Sequence, residues 1–101
     1  MGLDIILYDD KDAKAGFIEI PSSLHEAIFM GTPHWSSYSY LRKIKDYYKT
    51  NIRLHQPYLR HFVEDLKQVR LFMDSAHHAA LDSLIDALSQ SHVQAIHVAG
   101  D

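Results

Sequence analysis

A chain of 101 residues, 47% of them apolar and 23% charged, suits one globular domain spanning 1–101 and is too ordinary in composition for wholesale disorder. It has no cysteine, which excludes a disulfide scaffold, a thiol nucleophile and a thiolate zinc site, and it points to a reducing, cytoplasmic setting. The net charge of −3 is sorted along the chain: residues 1–30 hold six acids and two bases, 31–73 eight bases and three acids, and 74–101 four acids and no base.

The opening, Met1 to Tyr8, lacks the basic region, apolar core and cleavage site of a secretory signal. It reads as a strand: Leu3, Ile5 and Leu7 fall on one side, Asp4, Ile6 and Tyr8 on the other. Phe17 to Ile20 is a second strand, joined to the first by the polar stretch DDKDAKAG as an antiparallel hairpin with a long tip. Pro21 ends it. Ser23 stands three residues before Glu26, at capping-box spacing, which predicts a short helix over 23–30 with Leu24, Ala27 and Ile28 inward and Gly31 as its C-terminal cap.

GTPHWS at 31–36 is a loop, and Ser36 or Ser37 is placed to cap a helix over 38–50 with Leu41, Ile44 and Tyr48 inward. Leu54 to Pro57 reads as a break. Pro57 suits the first turn of the next helix, where Leu59, Phe62, Val63, Leu66, Val69 and Met73 recur at helical spacing. Asp74 or Ser75 begins a last helix with His77, Leu81, Leu84, Ile85 and Leu88 on one face. Val93 to Val98 is a β-branched third strand. The expected fold is α/β in the α+β sense. A small sheet of about three strands, the N-terminal hairpin plus the C-terminal strand, packs against about four helices. No window approaches about 18 consecutive apolar residues, so no membrane span is expected.

Several chemistries are tested by spacing. His25 and Glu26 begin the zinc-protease pattern, but Phe29 stands where its second histidine belongs. The Asp9, Asp10, Asp12 cluster departs from a calcium loop, with Pro21 in place of the bidentate glutamate. There is no GxGxxG, no GKS or GKT and no GxSxG. His61 with Asp65, and His78 with Asp82, are four apart on two helices and form the alternative metal set. His34 to Arg53 holds the only tryptophan, four tyrosines, and five bases against one acid. Its bases Arg42, Lys43, Lys45, Lys49 and Arg53 form a candidate nucleic-acid surface. Its aromatics Trp35, Tyr38 and Tyr40 are candidate anchors for a protein partner.

The start MGLDIILYD and the segment SSYSYLRKI at 36–44 together resemble a set of short bacterial and phage proteins. These share a Met-Gly-Leu-Asp-Ile start and a Ser-Tyr-Ser segment leading into a basic helix, and proteins of this look occur as immunity proteins beside toxin genes. The resemblance covers under a quarter of the chain. It implies a bacterial intracellular setting and a protein-binding role, and brings no catalytic residues. The leading expectation is therefore a non-enzymatic binding protein without a cofactor, an immunity protein that neutralises a toxin domain. Asp4, Asp9, Asp10, Asp12, Asp82 and Asp86, or the anchors Trp35, Tyr38 and Tyr40, would meet the partner. The alternatives are a nucleic-acid-binding protein and a small metal-binding protein or hydrolase.

Overall fold

A computed structural model describes residues 2–31, 34–44 and 50–100. Four strands, β1 (Gly2–Tyr8), β2 (Lys14–Pro21), β3 (Asn51–His55) and β4 (Ala95–Ala99), form one antiparallel sheet in the order β2-β1-β4-β3. The α+β architecture agrees with the sequence reading. The hairpin forms, and the C-terminal strand joins it by pairing with β1, Asp4 opposite Ala99 and Tyr8 opposite Ala95.

Directly opposed residues of an antiparallel pair point to the same side, so the alternation in β1 sorts the whole sheet. Leu3, Ile5 and Leu7 share a face with Ile20, Ile96, Val98 and Leu54; all are buried in the core, with Ile18 and Ile52 partly so. The other face carries Ile6 and Tyr8, Phe17 and Glu19, His97, and Asn51, Arg53 and His55. The strand over Asn51–His55 is additional to the three expected. Ile52 and Leu54 alternate with Asn51, Arg53 and His55, a period of two that the preceding basic stretch disguises as the tail of a helix.

At the hairpin tip the Asp9 carboxylate accepts from the amides of Lys11 (2.9 Å) and Ala13 (3.0 Å), which closes the turn. Asp12 adopts a left-handed backbone, φ 62°, a conformation aspartate tolerates better than most residues. Its carboxylate reaches the guanidinium of Arg53 on the far edge strand, and Arg53 also lies over the Tyr8 ring at 4.3 Å. A register shift between Leu7 and Tyr8 sets Tyr8 opposite Lys14.

The helices cover the apolar face. α1 (Ser22–Phe29) buries Leu24, His25 and Ile28. Its N-cap is Pro21, two residues before the Ser23 that the Ser23–Glu26 spacing predicts, so no side chain caps it and the expected capping box is absent. Gly31 does not use a left-handed cap either. Its amide bonds Glu26 O at 3.1 Å, and a Cβ there would meet Ala27 O at 2.8 Å, so glycine is needed for close backbone approach.

The helix predicted over 38–50 is much shorter. α2 spans Ser39–Arg42, neither Ser36 nor Ser37 caps it, and it winds tighter at its end, where Lys43 N bonds Tyr40 O and Ile44 N bonds Leu41 O. Ser36 and Ser37 lie instead in a 3-10 turn over His34–Ser37. Ile44 is fully buried, as expected; Lys45, Tyr48 and Lys49 lie outside the described residues.

α3 (Tyr58–Val69) realises the predicted stripe, burying Leu59, Phe62, Val63, Leu66 and Val69. Pro57 precedes its first residue, and the Gln56 side chain accepts from the Arg60 amide at 3.2 Å. A 3-10 turn over Arg70–Phe72 follows. Asp74 then accepts from Ala76 N at 2.9 Å and opens a second 3-10 turn leading into α4 (His78–Leu88), which buries Leu81, Leu84, Ile85 and Leu88. The connection between α3 and α4 is clamped twice. Arg70 holds Asp82 with two hydrogen bonds, 2.7 and 3.0 Å. His78 Nε2 lies 3.0 Å from Arg70 O and 3.1 Å from Met73 O, so this nitrogen carries the proton.

Candidate interaction surface

Asp65, on α3, positions the segment that bears the predicted aromatic anchors. Its carboxylate accepts from the Tyr40 amide at 3.0 Å and from the Leu41 amide, two of the orphan donors in the first turn of α2. A cap normally comes from the residue just before a helix; here it comes from another helix, 25 residues away in sequence. Burial pushes the Asp65 carboxyl above the usual carboxylate range, against the lowering effect of the two amides.

The segment 34–42 runs antiparallel to α3 and its following turn. At one end the His34 ring stacks on Phe72, with centroids 3.7 Å apart. At the other, Tyr40 stacks on His61 at 6.1 Å and lies 6.4 Å from the Tyr58 ring. Between them Trp35 meets Phe29 edge-on at 5.5 Å, and Tyr38 is half-buried against the core. From Tyr58 to Phe72 this seam is about 20 Å long at helical rise.

Five large apolar residues are exposed among the described residues. Two meet this seam, Phe72 on His34 and Tyr58 beside Tyr40, and two more, Leu71 (72% exposed) and Met30 (81%), are the chain neighbours of Phe72 and of Phe29, which contact it. The fifth, Phe17, lies on the sheet. Trp35, Tyr38 and Tyr40 are half-buried. They form the inner wall of the strip, while the fully presented groups are ones the sequence reading did not single out. Their signal is present only as apolar residues off the helical stripe: Leu71 and Phe72 follow Val69, and Met30 follows the inward Ile28.

The other candidates are dispersed. Asp4 faces away from the helices, on the open side of the sheet, and Asp9, Asp10 and Asp12 sit at the hairpin tip. The Asp9 carboxyl is held low by the Ala13 and Lys11 amides. Asp82 and Asp86 are on α4, in the helical layer. Asp82 is paired with Arg70, which holds its carboxyl below the ordinary value. The acids of the two chain ends thus do not gather into one patch.

The described bases diverge as well. Arg42 donates to Ser36 O at 2.7 Å, Lys43 lies 5.7 Å from the Tyr40 ring centre, and Arg53 is on the sheet with Asp12. The alternative metal set is not brought together: Asp65 is committed to α2, His78 to two carbonyls and Asp82 to Arg70, while His61 stacks on Tyr40. Among the described residues no three potential metal ligands converge. A groove of about 390 Å³ lies between α3 and the α4–β4 connection. Its floor includes Leu59, Val63 and Leu88, and its rim includes Gln56, Arg60 and Gln94.

No helix among the described residues is long and apolar enough to cross a membrane. Comparison with protein-family models, with curated proteins and with solved structures gives no match.

Proposed function

We propose that the chain is a non-enzymatic protein-binding domain that docks its partner on the aromatic strip between the 34–42 segment and α3. One observation carries this reading: the exposed rings of Phe72 and Tyr58 adjoin the two ends of one aromatic seam, and exposed Leu71 and Met30 are the chain neighbours of two of the rings that line it. Exposed apolar groups scattered singly need no explanation, but apolar groups sharing a seam with aromatic walls have the composition of an interface core. Phe72, Tyr58 and Leu71 are the anchors, Trp35 and Tyr40 hold the wall behind them, and the rim carries His34, His61 and Lys43. A partner fitting this surface presents apolar side chains with a carboxylate near Lys43.

The immunity role is the specific version of this reading. It rests on the MGLDI start and the Ser-Tyr-Ser segment, and it names a toxin domain from the adjacent gene as the partner. The strip, rather than the dispersed acids, is then the inhibitory surface. The nucleic-acid alternative is less favoured because Arg53 is on the sheet, paired with Asp12, and does not join Arg42 and Lys43 of the 34–44 segment in one contact.

The test is co-purification with the product of the neighbouring gene, with protection from its toxicity as a second readout. Met30→Asp and Leu71→Asp, both at highly exposed positions, should each weaken capture by about 30-fold, the scale of a 2 kcal/mol hot spot. A complex untouched by either change, but broken by Asp4→Asn with Asp10→Asn, would move the interface to the acids. Salt-sensitive retention on single-stranded nucleic acid, lost in Arg42→Ala with Lys43→Ala, would replace the reading altogether.

A further inference from the structure

β2 is the longest strand of the sheet, eight residues, and it is an edge. Among the described residues its only ladder is to β1, and none of the backbone hydrogen bonds made by turns and loops involves Lys14 to Pro21. One row of its amides and carbonyls is therefore left outside that ladder. Natural edges of this length are blunted by charged side chains, proline, bulges or a covering element. Here Lys14 and the bulge beside it stand at one end and Pro21 at the other, while the middle carries Phe17, 64% exposed.

We propose that this edge pairs with the same edge of a second copy of the chain, antiparallel about Phe17, to give a two-fold dimer with one continuous eight-stranded sheet. The register follows from the faces. From Gly16 to Ile20, where β2 alternates without interruption, opposed residues must point to the same side, so the sequence numbers of each opposed pair sum to an even value. Centring on Phe17 sets Phe17 against Phe17 of the second copy on the open side of the sheet. On the core side it sets partly exposed Ile18 against Gly16, where no side chain obstructs it.

Charge distinguishes this register from a guarded edge. Glu19 falls opposite Ala15 of the second copy, adjacent to that copy's Lys14. The shift at Tyr8 sets Lys14 on the open face, the one Glu19 occupies. The two-fold axis makes this contact twice. Like charges at 14 and 19 would repel in such a pairing; opposite charges are complementary to their own copy.

Sedimentation of the full chain across a dilution series tests this. Short-strand pairing lies at the small end of interface sizes, so a dimer with a Kd of about 10–100 µM is expected. Phe17→Asp puts two carboxylates at the axis and should weaken it by at least about tenfold. Lys14→Glu alone and Glu19→Lys alone should each weaken it, and the double swap K14E/E19K should restore it. Because both positions are exposed, the swap series stays decisive even if Phe17→Asp disturbs folding, which circular dichroism monitors. A monomer throughout the series, a dimer insensitive to all four variants, or a swap that does not restore pairing overturns the proposal. So does a dimer lost in M30D/L71D and kept in F17D, which would place self-association on the aromatic strip instead.

Discussion

Removing the Asp65 carboxylate should loosen the segment that carries Trp35, Tyr38 and Tyr40. In Asp65→Ala the amides of Tyr40 and Leu41 lose their acceptor in a half-buried place. Losing an N-terminal cap costs about 0.5–2 kcal/mol, and an unsatisfied buried donor about 1–3 kcal/mol. Partial access of water to this site sets the expectation at about 1–2 kcal/mol. For a domain of this size each kcal/mol lowers Tm by about 4–8 °C.

Asp65→Asn separates capping from charge. Its amide oxygen still accepts from the two donors, but it carries no charge to desolvate. Burial raises the Asp65 carboxyl in the folded state, so the native protein binds that proton more tightly than the unfolded chain does. The ionised form is penalised above the raised pKa, and the penalty disappears as pH falls through it. The Asn variant should therefore match or exceed the parent at neutral pH, and its advantage should shrink on acidification. Thermal melts followed by circular dichroism at neutral and acid pH measure both effects. An Asp65→Ala melt superimposed on the parent's, or an Asn variant as damaged as the Ala variant, would refute the tertiary cap.

Phe62, fully buried at the centre of the α3 stripe, should lose about 3–5 kcal/mol on truncation to Ala; a urea midpoint shift equivalent to under about 1 kcal/mol would deny it that central place. The Arg70 guanidinium and the turn amides hold the Asp82 and Asp9 carboxyls below their unfolded values, so both groups contribute stability above the ordinary carboxylate range. That contribution is lost as pH falls through the depressed folded values, and Asp82→Asn should flatten the acid-side decline in a urea titration repeated from about pH 6 to about pH 2.

The parts of the fold that were legible in the sequence are those where one periodicity acts alone. Leu3, Ile5 and Leu7 alternate cleanly, and Leu59 to Val69 recur at helical spacing with charged residues between. Where two signals compete, the reading fails. Asn51 to His55 offers only two apolar residues to the core and adjoins a basic run of helical character, so its strand identity emerges only from pairing with β4. Ser23 and Glu26 have capping-box spacing, but the helix takes Pro21 as its N-cap, two residues too early for them to use it. The interaction surface was half visible. The crowding of Trp35, Tyr38 and Tyr40 is a local property of the chain, whereas Met30, Tyr58, Leu71 and Phe72 become neighbours of that segment only through tertiary packing. The sorted charge misleads for the same reason: Asp4 and Asp82, from the two acidic ends, are carried to opposite faces.

In the strand order β2-β1-β4-β3, the last strand to be synthesised lies in the interior of the sheet, and β3 has no other neighbour there. A nascent chain leaving the ribosome can close its first hairpin early, but β3 waits as an orphan until Ala95–Ala99 are free. β4 then inserts as a keystone, satisfying two strands at once. Such long-range closure is slow, and a product stalled or clipped before Ala95 would display two unfinished edges, on β1 and on β3. β4 thus decides how many edges the sheet presents: only a chain read to Ala99 pairs β1 and β3 at once.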